Sequence, residues 1–265
     1  MKDLSRREFF KISAGGLAFL SELSVSREAW AKLEEIFAER AFVEEDYEKG
    51  IDRLRTAVFE KEIESNWLFV EKGKKHGWLD IGKDMSIDSG SSIELLPILE
   101  DRDVSRMHFS HTHPIAVLKA DKEISEPELE DAKKVRKSNL PSLPSPADIR
   151  TRALQKIFLR SNNLPQKLEH SVFDPSGRWF YDVDVDHPMI ALITKKENPV
   201  PEDAPDTDKL VPSPGESAMM RMGFEIAGQQ DYFRREKRIA LEPLLRFQER
   251  MKKEWGVELR YEPYP

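Results

Sequence analysis

The stretch Val104-Ser-Arg-Met-His-Phe-Ser-His-Thr-His-Pro114 decides how the chain is expected to fold, because it joins a strand pattern to a cluster of histidines. Residues 104 to 110 are predicted to form a central strand. In an extended chain, residues two apart point to the same face, so His111 and His113 would direct both imidazoles at one point. The proline then ends the strand. The stretch therefore predicts a two-histidine site at the rim of a sheet, where solvent and substrate can arrive.

A second block of polar residues, Pro144-Ser145-Pro146-Ala147-Asp148, could complete this site. Asp148 would add an oxygen ligand, and three protein ligands leave a fourth tetrahedral position for water, as in catalytic zinc sites. Zinc can lower the pKa of that water to about 7. An unliganded carboxylate nearby would take its proton, and Ser145 could hold a carbonyl oxygen as negative charge develops.

Each block also has a purely structural interpretation. His-x-His on a strand is more often structural than catalytic, and Ser-Pro-x-Asp is a good helix start, with an N-cap serine, a proline in the first turn and a negative charge at the positive end of the dipole. The capping role and the ligand role can both hold for the second block. The occurrence of both blocks in this order favours a metal site.

Composition limits the classes of function. The chain has 265 residues, of which 39% are hydrophobic, which suits one medium-sized domain with elaborations or two small ones. A charged fraction of 34% and a net charge of −7 argue against general nucleic-acid binding. The chain has no cysteine, which excludes disulfides, thiolate zinc sites and a cysteine nucleophile. A metal site must therefore be built from His, Asp and Glu.

The N-terminus resembles a twin-arginine export signal. Ser5-Arg-Arg-Glu-Phe-Phe-Lys11 precedes a short apolar run at residues 12–20, and Ala29-Trp-Ala31 is a candidate cleavage site. The apolar run is shorter than the about 20 residues that span a bilayer. The resemblance implies export to the periplasm or the extracellular space, with membrane attachment only through an uncleaved signal. A basic, amphipathic first helix of a cytoplasmic domain is the alternative.

Apolar periodicity predicts an α+β (α/β-like) domain with the candidate site at strand ends. The predicted helices are residues 32–64, 125–137, 146–160 and 216–255, the last with a break at Pro243. The predicted strands are residues 67–70, 77–82, 93–99 and 104–110, a hairpin at 171–185 with its turn at 174–177, then 189–194 and 257–261. Residues 119–144 are expected to form an insertion whose charged helix lies on the surface.

Other histidines and aspartates are expected to have structural roles. His108 is assigned to packing or to supporting the site, and His76 and His170 to the surface. Asp182, Asp184 and Asp186, followed by His187, alternate with apolar residues, which is typical of a half-buried strand with one wet face.

The two blocks together resemble the JAMM (JAB1/MPN+, Mov34-like) metalloprotease motif, in which His-x-His is followed by Ser-x-x-Asp. His111-Thr-His-Pro114 and Ser145-Pro-Ala-Asp148 match these parts. The resemblance implies an MPN-like mixed sheet flanked by helices, of cytidine-deaminase-like architecture, with a helical insertion and C-terminal helices. It also implies Zn²⁺ held by His111, His113 and Asp148, with Ser145 in the oxyanion role, and hydrolysis of peptide or isopeptide bonds.

The family's upstream glutamate lies between its first helix and the next strand, which makes Glu64 the expected general base, followed by Glu62 and then Glu60. Two features depart from the family pattern. Ser65-Asn66 follow Glu64 where a small residue and Gly are usual, and thirty-one residues separate His113 from Ser145. The second departure is explained by the predicted insertion, since loop closure entropy grows only logarithmically with length.

The expected organisation is an export signal at 1–31, a JAMM-like metallohydrolase domain at 32–197, a proline-rich loop at 198–215 and a helical extension with a final strand at 216–265. The expected function is an exported zinc hydrolase acting on a peptide or protein substrate. One alternative is an inactive MPN-like secreted interaction module. Another is a metallohydrolase acting on an amide or ester of a cell-wall fragment or small molecule. The sequence does not indicate an oligomeric state.

Overall fold

The computed structural model describes residues 42–82, 98–116, 124–195 and 212–264. The fold is mixed α/β, with six strands in one sheet of order β2-β1-β3-β4-β5-β6. The strands are β1 (Asn66–Lys72), β2 (Lys75–Gly82), β3 (Val104–Thr112), β4 (Lys167–Phe173), β5 (Gly177–Val183) and β6 (Val257–Pro263). The helices are α1 (Tyr47–Glu60), α2 (Glu126–Val135), α3 (Pro146–Ser161), α4 (Pro188–Thr194), α5 (Pro214–Arg235) and α6 (Leu241–Arg250), which continues into a π-helical turn (Met251–Trp255).

The chain divides into two compact units. The first comprises residues 1–136 and 159–173, and its described part contains α1, α2 and β1 to β4. The second comprises residues 137–158 and 174–265 and contains most of α3, the helices α4 to α6, and β5 and β6. The predicted export signal at 1–31 lies outside the described residues. No helix among the described residues is long and apolar enough to cross a membrane.

The first unit is built around β3, as the sequence predicts. β3 pairs antiparallel with β1 and parallel with β4, and β1 also pairs with β2 through a tight turn whose Gly73 has a φ of 59°. Leu54 and Val58 of α1 are fully buried, as are Leu68, Trp78 and Met107 of the sheet. The predicted strands at 67–70 and 77–82 and the predicted central strand at 104–110 are confirmed.

Helix α1 is shorter than predicted. It begins at an N-cap, where the Asp46 carboxylate accepts a hydrogen bond from the Lys49 N–H at 2.9 Å, and ends at Glu60, not at residue 64. The chain must be extended before β1, because the carbonyl of Ser65 accepts a hydrogen bond from the Thr112 N–H at 3.0 Å. Pairing with β3 therefore overrides helix propensity in the four residues that follow α1.

The second unit contains the antiparallel pair β5–β6 and the C-terminal helices. Residues 189–194, predicted as a strand, form helix α4 instead. Pro188 occupies its first turn, and the His187 Nδ1 accepts a hydrogen bond from the Met189 N–H at 3.2 Å. Ile190 and Ile193 are buried three residues apart, so one helical face is covered. A short apolar run has no period that separates strand from helix, which explains the wrong prediction.

Two further predicted elements are wrong. Residues 98–100, the described end of the predicted strand 93–99, are helical. The break in the C-terminal helical region lies at residues 236–240, between α5 and α6, and Pro243 lies in the first turn of α6. A proline is tolerated there because the first turn of a helix does not use its N–H groups.

The predicted helix of the insertion and the final strand are confirmed. In α2, the Glu128 carboxylate accepts a hydrogen bond from the Ser125 N–H at 3.0 Å, as in a capping box. The helix buries Leu129 and Ala132 and exposes most of its charged residues. The final strand, β6, is two residues longer than predicted.

Candidate metal centre

The two histidines of the His-x-His block converge, as the strand geometry predicts. The His111 Nε2 and the His113 Nε2 lie 3.2 Å apart. His111 is paired on both sides, opposite Asn66 of β1 and Val172 of β4. The His113 N–H continues this pairing with a 2.8 Å hydrogen bond to the Phe173 carbonyl. Both backbones are thus fixed, which holds the two rings toward a common point.

Asp148 is held in the first turn of α3 by a reciprocal contact with Ser145. The Ser145 N–H donates to the Asp148 Oδ2 at 2.7 Å, and the Asp148 N–H donates to the Ser145 Oγ at 3.2 Å. The segment therefore does form the helix cap that its sequence predicts. Because a carboxylate has two oxygens, this cap is compatible with ligation of a metal. The Ser145 Oγ is the acceptor of the bond from the Asp148 N–H, so the hydroxyl hydrogen of Ser145 takes no part in that bond.

The side chains of His111, His113 and Asp148 each offer one ligand atom, and these atoms lie within 4.8 Å of one another. This group could hold a metal ion. Imidazole nitrogen and carboxylate oxygen are both zinc donors, and ligands about 2.0 Å from a tetrahedral zinc stand roughly 3.3 Å apart. The observed 3.2 Å between the two Nε2 atoms fits that spacing. His111 and Asp148 are buried, whereas His113 keeps 14% of its side chain exposed.

Glu64 lies beside the histidine pair. Its Oε1 is 3.9 Å from the His113 Nε2, and 42% of its side chain is exposed. The β1–β3 pairing explains this position, because it ends at Asn66 opposite His111 and the Thr112 N–H bond to the Ser65 carbonyl brings the preceding chain close to His113. Residues directly opposite each other in an antiparallel pair share a face of the sheet.

The other two candidate glutamates lie elsewhere. Glu62 is exposed in the segment after α1. Glu60 ends α1 and forms an ion pair with Arg136 at 2.9 Å. Of the three glutamates, Glu64 is therefore the one that the structure places beside the histidine pair.

Tyr181 contributes to the surroundings of Asp148 and has no counterpart among the predicted site residues. It is almost fully buried in β5. Burial and then the charge of Asp148 raise the pKa of Tyr181 well above its usual range, although Arg152 acts in the opposite direction. The phenol is therefore neutral at physiological pH.

His108 belongs to the opposite face of β3, and its expected packing role is confirmed. Its Nδ1 lies 2.7 Å from the Tyr47 hydroxyl and its Nε2 lies 2.9 Å from the Ser171 Oγ. Ser110 extends this network, with its Oγ 2.9 Å from that of Ser171. His108 and Ser171 are fully buried. The alternation of residues along β3 separates this network from His111 and His113.

His170 is buried, although the sequence places it at the surface. It lies in β4, keeps only 4% of its surface exposed, and stacks on Phe109 with ring centroids 5.0 Å apart. Its polar neighbours Glu169 and Ser171 are residues of the same strand, which runs parallel to β3.

The aspartates at the end of β5 and just after it have structural partners. Asp182 forms ion pairs with Arg152 at 2.7 Å and with Lys156 at 2.8 Å. Asp184 accepts a hydrogen bond from the Asp186 N–H at 3.0 Å, and His187 caps α4. β5 ends at Val183, so the predicted strand to residue 185 is two residues too long, and Asp184, Asp186 and His187 lie in the turn between β5 and α4.

Comparisons of the chain with models of protein families, with curated proteins and with solved structures found no match. What the protein does is therefore inferred from the geometry and chemistry of its own residues.

Proposed function

We propose that the protein is an exported, zinc-dependent hydrolase of peptide or isopeptide bonds. The observation that carries the proposal is the convergence of His111, His113 and Asp148, with Glu64 next to His113. The order of these residues along the chain resembles the JAMM motif. Three protein ligands suit a catalytic zinc site, because structural sites are closed by four.

Each residue of the group has a chemical role in this proposal. His111, His113 and Asp148 would hold the ion, which supplies Lewis-acid chemistry and can lower the pKa of a coordinated water to about 7. Glu64 is the general base, which takes a proton from water and delivers it to the leaving amine. The exposure of Glu64 allows its carboxylate to meet a substrate from solvent. Ser145 donates its hydroxyl hydrogen to the developing negative charge.

Export is proposed from the N-terminal residues alone. Ser5 to Lys11 contain paired arginines, two aromatics and a lysine before a short apolar run, as in twin-arginine signals. This route carries folded proteins, so the chain would acquire its metal before it crosses the membrane.

The metal site is tested by measuring zinc per chain in the purified full-length protein and its variants. One zinc is expected in the wild type, and His113→Ala and Asp148→Ala are expected to lose it. Glu64→Gln should retain zinc and lose about 10²- to 10⁴-fold in turnover on a peptide and isopeptide library, because the general base is removed. His76→Ala, at an exposed histidine of β2, is the matched control and should keep both.

Three outcomes contradict or redirect the proposal. Full activity in the Asp148 variant contradicts the assignment of ligands. A wild-type protein without zinc, whose melting temperature does not change with a chelator, indicates a secreted interaction module. Zinc-dependent cleavage of small-molecule or cell-wall amides without cleavage of peptides indicates the other class of hydrolase.

A further inference from the structure

Thr112 lies between the two histidines and is fully buried. Its N–H donates to the Ser65 carbonyl at 3.0 Å, and its Oγ1 accepts from the Ser65 N–H at 2.9 Å. Because Asn66 pairs with His111, Ser65 and Thr112 stand opposite each other at the next position of the β1–β3 ladder. A regular hydrogen-bonded pair exchanges two main-chain bonds. In this pair, the Ser65 N–H donates to the Thr112 hydroxyl and not to the Thr112 main-chain carbonyl.

This replacement occurs one residue away from Glu64. The segment between the end of α1 and β1 has no regular structure, and residues 61–63 are exposed. Glu64 therefore has no helix or strand hydrogen bonds of its own to fix its backbone. The Ser65–Thr112 pair is the point at which the chain that carries Glu64 joins the strand that carries His111 and His113.

We propose that Thr112 is a positioning residue whose hydroxyl sets the place of the Glu64 carboxylate relative to the histidine pair. The inference rests on the proposed function, since it assigns Glu64 a task at that site. A general base must lie within hydrogen-bond reach of the proton that it takes. A misplacement of about 1 Å can cost about 100-fold in rate. The Thr112 side chain is fully buried and contacts Ser65, so it acts through Glu64.

The first test compares crystal structures of metal-free wild type, Thr112→Val and Thr112→Ser. Valine keeps the shape and removes the acceptor, so the Ser65 N–H loses its partner. The Glu64 carboxylate is expected to move about 1 Å or more from its place beside His113, a displacement large enough to affect catalysis. Serine restores the hydroxyl and is expected to restore the position. Thr194→Val removes a hydroxyl that bonds only within α4 and should leave Glu64 in place.

The second test uses the visible absorption of the Co²⁺-loaded full-length protein and its pH dependence, with Glu64→Gln as the reference. Thr112→Val should shift this pH dependence in the same direction as Glu64→Gln and by at least half as much. Thr112→Ser should match the wild type. Removing a residue that hydrogen-bonds directly to a metal ligand costs roughly tenfold or more in metal affinity. The affinity of Thr112→Val for Zn²⁺ should change by less than this.

The inference is overturned if Glu64 keeps its position and the Co²⁺ spectrum is unchanged in Thr112→Val. Thr112→Ala also removes the acceptor, without introducing a second bulky methyl group, and is expected to displace Glu64 in the same way, so it decides the question if the valine variant does not fold. Failure of the wild type to bind Co²⁺ or Zn²⁺ would contradict the proposed function. The crystallographic comparison would still decide whether Thr112 positions Glu64.

Discussion

Three residues of the candidate centre, His113, Asp148 and Glu64, are supported by contacts outside the ligand group. The backbone of His113 is bonded to Phe173, Asp148 is capped by Ser145, and the residue after Glu64 is bonded to Thr112. Such contacts fix side-chain position before a metal or substrate arrives. Residues of this kind are expected to change ligand geometry when they are replaced, even though they contact no ligand.

Asp182 gives a prediction for the effect of acid on stability. Burial acts to raise its pKa, but Arg152 and Lys156 outweigh burial and hold the pKa below its usual range. A carboxyl group with a depressed pKa stabilises the folded state above its unfolded pKa of about 3.9, and this contribution is lost as the pH falls through the folded pKa. Asp182→Asn should therefore be less stable than wild type at pH 7.

Urea unfolding between pH 7 and pH 3 measures this effect. The difference between wild type and Asp182→Asn is expected to be constant down to about pH 4 and to shrink below it. Asp131→Asn is the control, because this carboxylate is 79% exposed and faces Lys134 at 3.6 Å. A constant difference across the whole range would contradict the assigned ion pairs.

At the scale of elements, strand pairing and the local effects of caps and prolines decide where most helices and strands begin and end. β3 and α3 were predictable because their apolar residues recur with one clear period and their ends carry a proline or a cap. Helix α4 was not predictable, because seven residues with several apolar side chains fit a strand as well as a helix. The end of α1 was not predictable either, because Ser65 pairs with Thr112, which lies 47 positions further along the chain.

The junction between the π-helical turn and β6 gives a prediction about Gly256. Gly256 has a φ of 69°, and a Cβ there would lie 2.5 Å from the His187 Cβ. Gly256→Ala combines a left-handed backbone with a clash and should cost about 2–4 kcal/mol in the free energy of unfolding.

Gly228→Ala is the matched control. Gly228 lies inside α5, and a Cβ there meets nothing within 4 Å. Alanine should stabilise the protein by about 0.5–1 kcal/mol, because it loses less conformational freedom in a helix. Denaturant unfolding of both variants measures the two changes, and equal signs would contradict the assigned environments.

At the scale of the whole molecule, a mixed α/β fold with a candidate metal centre is combined with an N-terminal segment that resembles an export signal. Replacing both Arg6 and Arg7 by Lys keeps the charge but removes the planar guanidinium groups that a receptor can bind in a bidentate way. In a host with twin-arginine export, this variant should remain in the cytoplasm, while wild type and the control Arg27→Lys are exported. Fractionation and detection of the chain measure the distribution, and export of the double variant would contradict the proposal.

The sequence by itself determined the strand that leads into His111 and His113 and the helix start that carries Asp148. These features depend on local rules: alternation along a strand, and the hydrogen-bonding needs of the first turn of a helix. It also indicated Glu64, through its place between α1 and β1. The absence of cysteine limited a metal site to nitrogen and oxygen ligands.

Only the tertiary structure decided which glutamate lies beside the histidines and what holds it there. The β1–β3 pairing brings Glu64 close to His113, and the Thr112 hydroxyl bonds to Ser65 at the end of the ladder. It also decided that His170 is buried and that residues 188–194 are a helix. All of these depend on contacts between segments far apart in the chain, and no local pattern of residues encodes a register of that kind.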